Sequence, residues 1–242
     1  MNEMSIVKSL MKESSALKTA GKEIVSLGVG VPFYGMPREM KQYCVDLMQS
    51  STEIDGYTPF PGLPKLRDVV AEQFQIELGR EVLRENVLIT AGSMSGLYYV
   101  FRALLEDGDE IIVPGPYFLS YKEQVEMCGG RLVEAPTVTD WGLDLERIRG
   151  LVTRRTKAIL VNSPNNPTGA VYTEESLRLL AELAVERNLV VITDEAYDFL
   201  VYGQYFNVAW CANLKEKVVR CGSYSKRFGM TGWRVGIFVC RG

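Results

Sequence analysis

Histidine is absent from all 242 residues. That absence removes Ser-His-Asp and Cys-His catalysis, and zinc or haem sites built on imidazole. Acid–base chemistry is left to Lys, Asp, Glu, Tyr or Cys. The five cysteines (Cys44, Cys128, Cys211, Cys221 and Cys240) are odd in number and nowhere spaced as C-x-x-C. Neither a disulfide framework nor a metal site is expected from them. No apolar run approaches bilayer length, and the opening MNEMSIVKSLMKESSALKTAGKE has no apolar core of the kind a signal peptide carries. A cytoplasmic protein is expected. Basic excess is missing too: 27 basic against 30 acidic residues gives a net charge of −3, which makes no electrostatic case for a nucleic acid or an anionic membrane. The glycines of AGSMSG and GVGVPFYG lack G-x-G-x-x-G spacing, so a dinucleotide fingerprint is unsupported.

What is present is a chain long enough to bury a core, as one large domain or two small ones. Short Val- and Ile-rich runs recur: NVLIT (86–90), DEIIVP, GRLVEAP, TKAILVNS, LVVITDE, KVVRCGS and GIFVC. Each has the length and composition of a buried strand. Helical patterns lie between several of them. SMSGLYYVFRALLEDG is amphipathic, and TEESLRLLAELAVERN opens at Thr173 with acidic residues in its first turn and closes near Asn188. Alternation of this kind predicts an α/β fold, a mostly parallel sheet with helices on both faces. Ligand groups then gather at the carboxyl ends of strands and at helix N-termini. Residues 1–40 read as a helix, a linker and a loop distinct from the sheet region.

Three post-strand loops have unusual polar content. AGSMSG sets a Gly and a Ser at a helix start, where free backbone N–H groups suit a phosphate or form a plain N-cap. PNNPTG is turn chemistry with Asn165 and Asn166 at a strand end. In DEAYDFLVYG, Asp194 directly follows an apolar strand, a place that buries it and calls for a cationic partner. Near the end, GSYSKRFGMTGWRVG holds Lys226 with Arg234 eight residues on and no carboxylate nearby. Tyr98, Tyr99 and Phe101, at helical spacing, are expected in the core.

Together, SLGVGVP, GYTPFPGLPKLR, AGSMSG, PGPYFLSY, NSPNNPTG, DEAYDFLVYG and SYSKRFGMTGWRVG resemble, in order and spacing, the class I/II aminotransferases of the fold-type I pyridoxal-phosphate (PLP) enzymes, from about residue 14 onward. The resemblance implies a PLP-dependent aminotransferase moving an amino group between an amino acid and a 2-oxo acid through a Lys226 Schiff base. Asp194 would pair with the pyridine nitrogen, and Asn166 and Tyr197 would hydrogen-bond the ring's phenolic oxygen. Phe118, or less readily Tyr117, would stack on the ring. Backbone N–H groups of Ser93 and Met94, the Ser223 hydroxyl and the Arg234 guanidinium would hold the phosphate. Gly30 would meet the substrate carboxylate, with Asn166 beside it. Tyr57 would reach the phosphate of a neighbouring subunit, which implies a homodimer. Residues 1–40 would belong to the small domain and 41–242 to the PLP-binding large domain.

Two departures bear on substrate recognition. The family continues beyond the strand matching GIFVC into a region carrying the arginine that pairs with the substrate α-carboxylate, and Arg241 comes too early to be that residue. The VPFYGMP loop lacks the acidic residue many relatives carry beside the proline. A chain of this extent is therefore expected to hold PLP but to transaminate poorly. The alternatives are a carbon–sulfur lyase of the same fold and a truncated PLP-binding domain with little activity. A PLP-sensing regulator would need a basic helix-turn-helix upstream, for which residues 1–40 are too short and too mixed in charge.

Overall fold

Apolar runs become strands here because two helical layers cover both of their faces. The computed structural model describes residues 3–25, 28, 30–214 and 217–240. Its elements, in chain order, are α1 (Glu3–Thr19), α2 (Arg38–Ser50), α3 (Pro64–Leu78), β1 (Val87–Thr90), α4 (Ser93–Leu104), β2 (Glu110–Pro114), α5 (Ser120–Met127), β3 (Arg131–Ala135), α6 (Leu145–Leu151), β4 (Thr156–Asn162), α7 (Glu174–Glu186), β5 (Val190–Asp194), β6 (Val218–Ser223), α8 (Tyr224–Arg227) and β7 (Gly236–Cys240). The strands form one sheet in the order β1-β7-β6-β5-β4-β2-β3. All neighbouring pairs are parallel except those of β7, which runs antiparallel to both β1 and β6. The α/β fold with a mostly parallel sheet is thus observed, with one reversed strand in its interior.

Strand alternation sends successive side chains to opposite faces. Ile112, Ile159, Val161, Val191 and Val218 face α6 and α7, while Ile111, Ala158, Leu160, Ile192 and Phe238 face α4 and α5. Helix α7 shows why the sequence folds this way. Thr173 caps it by accepting a hydrogen bond from the Ser176 N–H, and Leu177, Leu180 and Leu183 form its buried stripe. Each such leucine contributes about 1.5–3 kcal/mol relative to exposure, set against the entropy of ordering the chain. A third cluster packs α3 through Val70, Ala71 and Phe74 onto Val87, Ile237 and Val239.

Arg220 sits buried under α3 as an exception to the apolar rule. Its guanidinium meets the Glu195 carboxylate at 2.5 Å and Glu77 at 3.3 Å, and lies 4.1 Å from the Phe74 ring centroid. The carboxylate charges hold the guanidinium firmly protonated against the opposing effect of burial.

The N-terminal part is built differently. Helix α2 has no buried residue, and Tyr43, Met48, Ile54, Tyr57 and Phe60 are exposed. The boundary expected between residues 40 and 41 falls inside α2, which runs through it unbroken. Of the three aromatics expected in the core, Phe101 is buried and Tyr98 is partly buried against the same cluster. Tyr99, which was expected there too, is exposed, because it lies on the far side of α4 from that cluster.

Candidate active site

Three neighbouring strands end together in polar residues. Register pairs Asn162 of β4 with Asp194 of β5, and Asp194 with Cys221 of β6; two residues on, Ser223 pairs with Gly236. Beyond these ends lies a cavity of about 680 Å³. Among its lining residues are Gly30, Ser93, Met94, Phe118, Asn166, Asp194, Tyr197, Ser223, Lys226 and Arg234. The cavity thus gathers residues from segments spread over two hundred positions of sequence, Gly30 to Arg234, at the strand ends where sheets of this type bind ligands.

Asp194 is the buried acid of the site. Its Oδ2 accepts a hydrogen bond from the Tyr121 hydroxyl at 2.7 Å, and its Oδ1 accepts from the Ala196 N–H at 3.1 Å. No cation pairs with it among the described residues. The expected cationic partner is therefore absent from the described part of this chain, and two neutral donors take its place. Burial pushes the Asp194 carboxyl above the usual range, while the Tyr121 and Ala196 hydrogen bonds pull it back. Asn162 ties the strand ends together: its Nδ2 donates to the Asp194 carbonyl at 2.9 Å, and its Oδ1 accepts from the Asn166 N–H at 2.7 Å. Asn166 Nδ2 in turn donates to the Tyr197 hydroxyl oxygen at 3.4 Å.

Lys226 lies on the one-turn helix α8, capped by the Ser223 side chain, which accepts from the Ser225 N–H at 3.2 Å. Its amine donates to the Gly30 carbonyl and has no carboxylate partner among the described residues. Burial lowers its pKa, since desolvation disfavours the charged form. Tyr34 donates to the Lys226 carbonyl at 2.9 Å, so the loop after Gly30 is joined to the lysine's own backbone.

The start of α4 also lines the cavity. Gly92 gives that helix no side-chain cap. A Cβ on Gly92 would collide with the Arg234 guanidinium, and one on Gly236 with the Gly92–Ser93 backbone. Glycine at both positions lets the guanidinium, the helix N-terminus and Ser223 share one corner. Arg234 donates to the Thr231 carbonyl at 2.9 Å and makes no ion pair among the described residues. A helix start without a side-chain cap, beside a guanidinium with no carboxylate partner among the described residues, suits an anion with several acceptor oxygens.

Tyr57 does not join this group, being fully exposed and outside the cavity of its own chain. Arg241 and three residues of SLGVGVP (Ser26, Leu27 and Val29) lie outside the described residues. Tyr121 and Asn162 were missed by sequence reasoning. Asn162 had a usable signal, a polar residue closing an apolar strand just as Asp194 does. Tyr121 had none, since its partner is 73 residues away.

The family model described as "Aminotransferase class I and II" matches residues 22–241. Among curated proteins, the aspartate/prephenate aminotransferase of Thermus thermophilus is 42% identical, over 93% of this chain and 58% of its own length. The aspartate aminotransferase of Bacillus subtilis is 35% identical, over 94% of this chain and 59% of its own. Among solved structures, Thermus thermophilus aspartate aminotransferase with maleate superposes with a TM-score of 0.90 at 38% identity, covering 97% of this chain and 61% of that one. The Thermotoga maritima aspartate aminotransferase gives 0.92 at 33% identity, covering 97% and 63%. The chain thus spans about three fifths of the length of these relatives.

Proposed function

The chain belongs to the class I and II aminotransferases, and from that premise we propose that it serves a PLP-dependent transfer of an amino group between an amino acid and a 2-oxo acid. One observation carries the reading. A single cavity gathers a lysine amine without a carboxylate partner, a buried carboxylate without a cation, and a guanidinium beside an uncapped helix start. Each of the three, incomplete among the described residues, is complementary to a different part of PLP: its aldehyde, its protonated pyridine nitrogen and its phosphate. When bound, PLP supplies a carbonyl that captures amines and a ring that withdraws electrons from the substrate's α-carbon.

The chain's own groups do the rest. Lys226 Nζ, with its pKa lowered by burial, would serve as the acid–base group that moves the proton of the substrate α-carbon. Asp194 would keep the ring nitrogen protonated, and Asn166 and Tyr197 would hydrogen-bond the phenolic oxygen. Phe118 would cover one ring face. The Ser93 and Met94 N–H groups, the Ser223 hydroxyl and Arg234 would hold the phosphate. The Gly30 backbone and Asn166 orient the substrate carboxylate.

We assign a homodimer to the working protein, with Tyr57 serving the neighbouring phosphate; the full exposure of Tyr57 in its own chain supports this. The small-domain segment is proposed to end at Pro37, before the unbroken α2, with the large domain following. A cytoplasmic site of action goes with the five free thiols. The test is to add PLP, reduce with borohydride and map the labelled peptide. The pyridoxyl group is expected on Lys226, and a label on another lysine refutes the assignment.

A further inference from the structure

Tyr121 is a core tyrosine with one polar task. It is 1% exposed, on α5, and its ring packs edge-on against Phe118, with centroids 5.7 Å apart and planes at 75°. Its hydroxyl donates to Asp194 Oδ2 at 2.7 Å, and Asp194 is itself 5% exposed. We propose that Tyr121 is a positioning residue for the cofactor's pyridine nitrogen: its hydroxyl holds the Asp194 carboxylate ionised and aimed into the cavity, and so fixes how far into acid the protein keeps PLP. This rests on the reading of the cavity as a PLP site.

The surroundings of Asp194 leave that task to Tyr121. Glu195 and Tyr197 adjoin it on its own segment, and Cys221 pairs with it on β6. Burial and the Glu195 charge both disfavour the Asp194 carboxylate. What favours it is the Ala196 N–H, a backbone group no side-chain change removes, and the Tyr121 hydroxyl. Burial and the Asp194 charge push the Tyr121 hydroxyl well above its usual range. It therefore remains a protonated donor at any pH at which the protein works. A hydrogen bond to a buried charge is among the stronger ones, and losing it leaves the carboxylate one donor short.

A tyrosine placed only for packing would keep its role in Tyr121→Phe, which retains the ring and deletes the hydroxyl. PLP affinity is measured by absorbance titration from pH 5.5 to 8.5 on the wild type, Tyr121→Phe, Asp194→Ala and the double variant, with melting temperature read alongside. Tyr121→Phe is expected to bind PLP about tenfold more weakly near pH 6 and to approach the wild type near pH 8.5, where the carboxylate is ionised in both. In the Asp194→Ala background, which also removes the buried charge and so spares the double variant from instability, the same change adds no loss. A Tyr121→Phe binding curve parallel to the wild type at every pH, or an additive loss in the double variant, overturns the proposal. A wild type that does not bind PLP at any pH refutes the reading of the cavity and the proposal with it, whereas wild-type binding with an unchanged Tyr121→Phe curve refutes the proposal alone.

Discussion

The strand-end floor of the cavity and the N-terminal helices are two regions of one chain under opposite constraints. Asn162 and Asp194 of that floor, and Glu195 beside them, which turns to Arg220 under α3, are buried polar groups, each fixed by partners from neighbouring strands or from α5. Helix α2 has no buried residue, and the segment after it leaves Ile54, Tyr57 and Phe60 in solvent. The contrast teaches where specification resides. Groups so nearly shielded from water must find most of their partners within this chain. The exposed apolar side chains of the N-terminal part take their meaning from whatever covers them.

The comparison can be tested from its strongest point downward. Asp194→Ala should leave PLP binding partly intact while slowing α-proton exchange on amino acids by about 10³–10⁴-fold, roughly 4–5.5 kcal/mol. Deuterium wash-in measures this, and unchanged exchange refutes the role. Arg220→Met should destabilise the chain by about 3–5 kcal/mol in denaturant unfolding, because it leaves buried Glu195 uncompensated. A loss below about 1 kcal/mol would mean that water reaches that carboxylate.

A smaller effect separates function from stability at Asp194. Its carboxyl titrates higher in the fold than in the unfolded chain, mainly through burial. Folded protein therefore holds that proton more tightly, and the stability this provides is lost as pH rises through the folded value. Asp194→Asn without cofactor should melt above the wild type near pH 7, by an amount of order 1 kcal/mol. The advantage should shrink as pH falls towards the ordinary carboxylate range. An advantage that grows towards acid would reverse the sign and the argument.

Smallest of all is Met48→Ala on exposed α2, expected to change the unfolding free energy of the single chain by less than about 0.5 kcal/mol. Sedimentation sharpens the point. A loss that grows with protein concentration, together with a dimer at micromolar levels, would show α2 covered by a second copy.

Much of the floor was legible in the sequence because its signals are local. Polar residues that close Val- and Ile-rich runs mark strand ends, and this located Asp194 and the loop bearing Asn166. Thr173 announced the start of α7 through its side chain and the two glutamates that follow it. Tyr121 was not legible, because nothing near α5 says that its hydroxyl finds a carboxylate 73 residues away. The reversal of β7 between β1 and β6 was equally hidden, since an apolar run reads the same for either strand direction.

By itself, then, the sequence determined which seven apolar runs form strands, the helices that follow NVLIT and Thr173, that imidazole chemistry is excluded, and that Lys226, Asp194 and Arg234 sit at or near strand and helix ends. Periodicity, capping and composition act over a few residues, and a linear reading captures them. Only the tertiary structure decided the strand order, the pairing of Asn162 with Asp194 and the neutral tyrosine donor to a buried acid. It also decided that Gly92 and Gly236 open the corner shared by Arg234 and the start of α4. Those outcomes depend on register and on the close approach of distant backbone, which arise when the sheet assembles and its faces are buried.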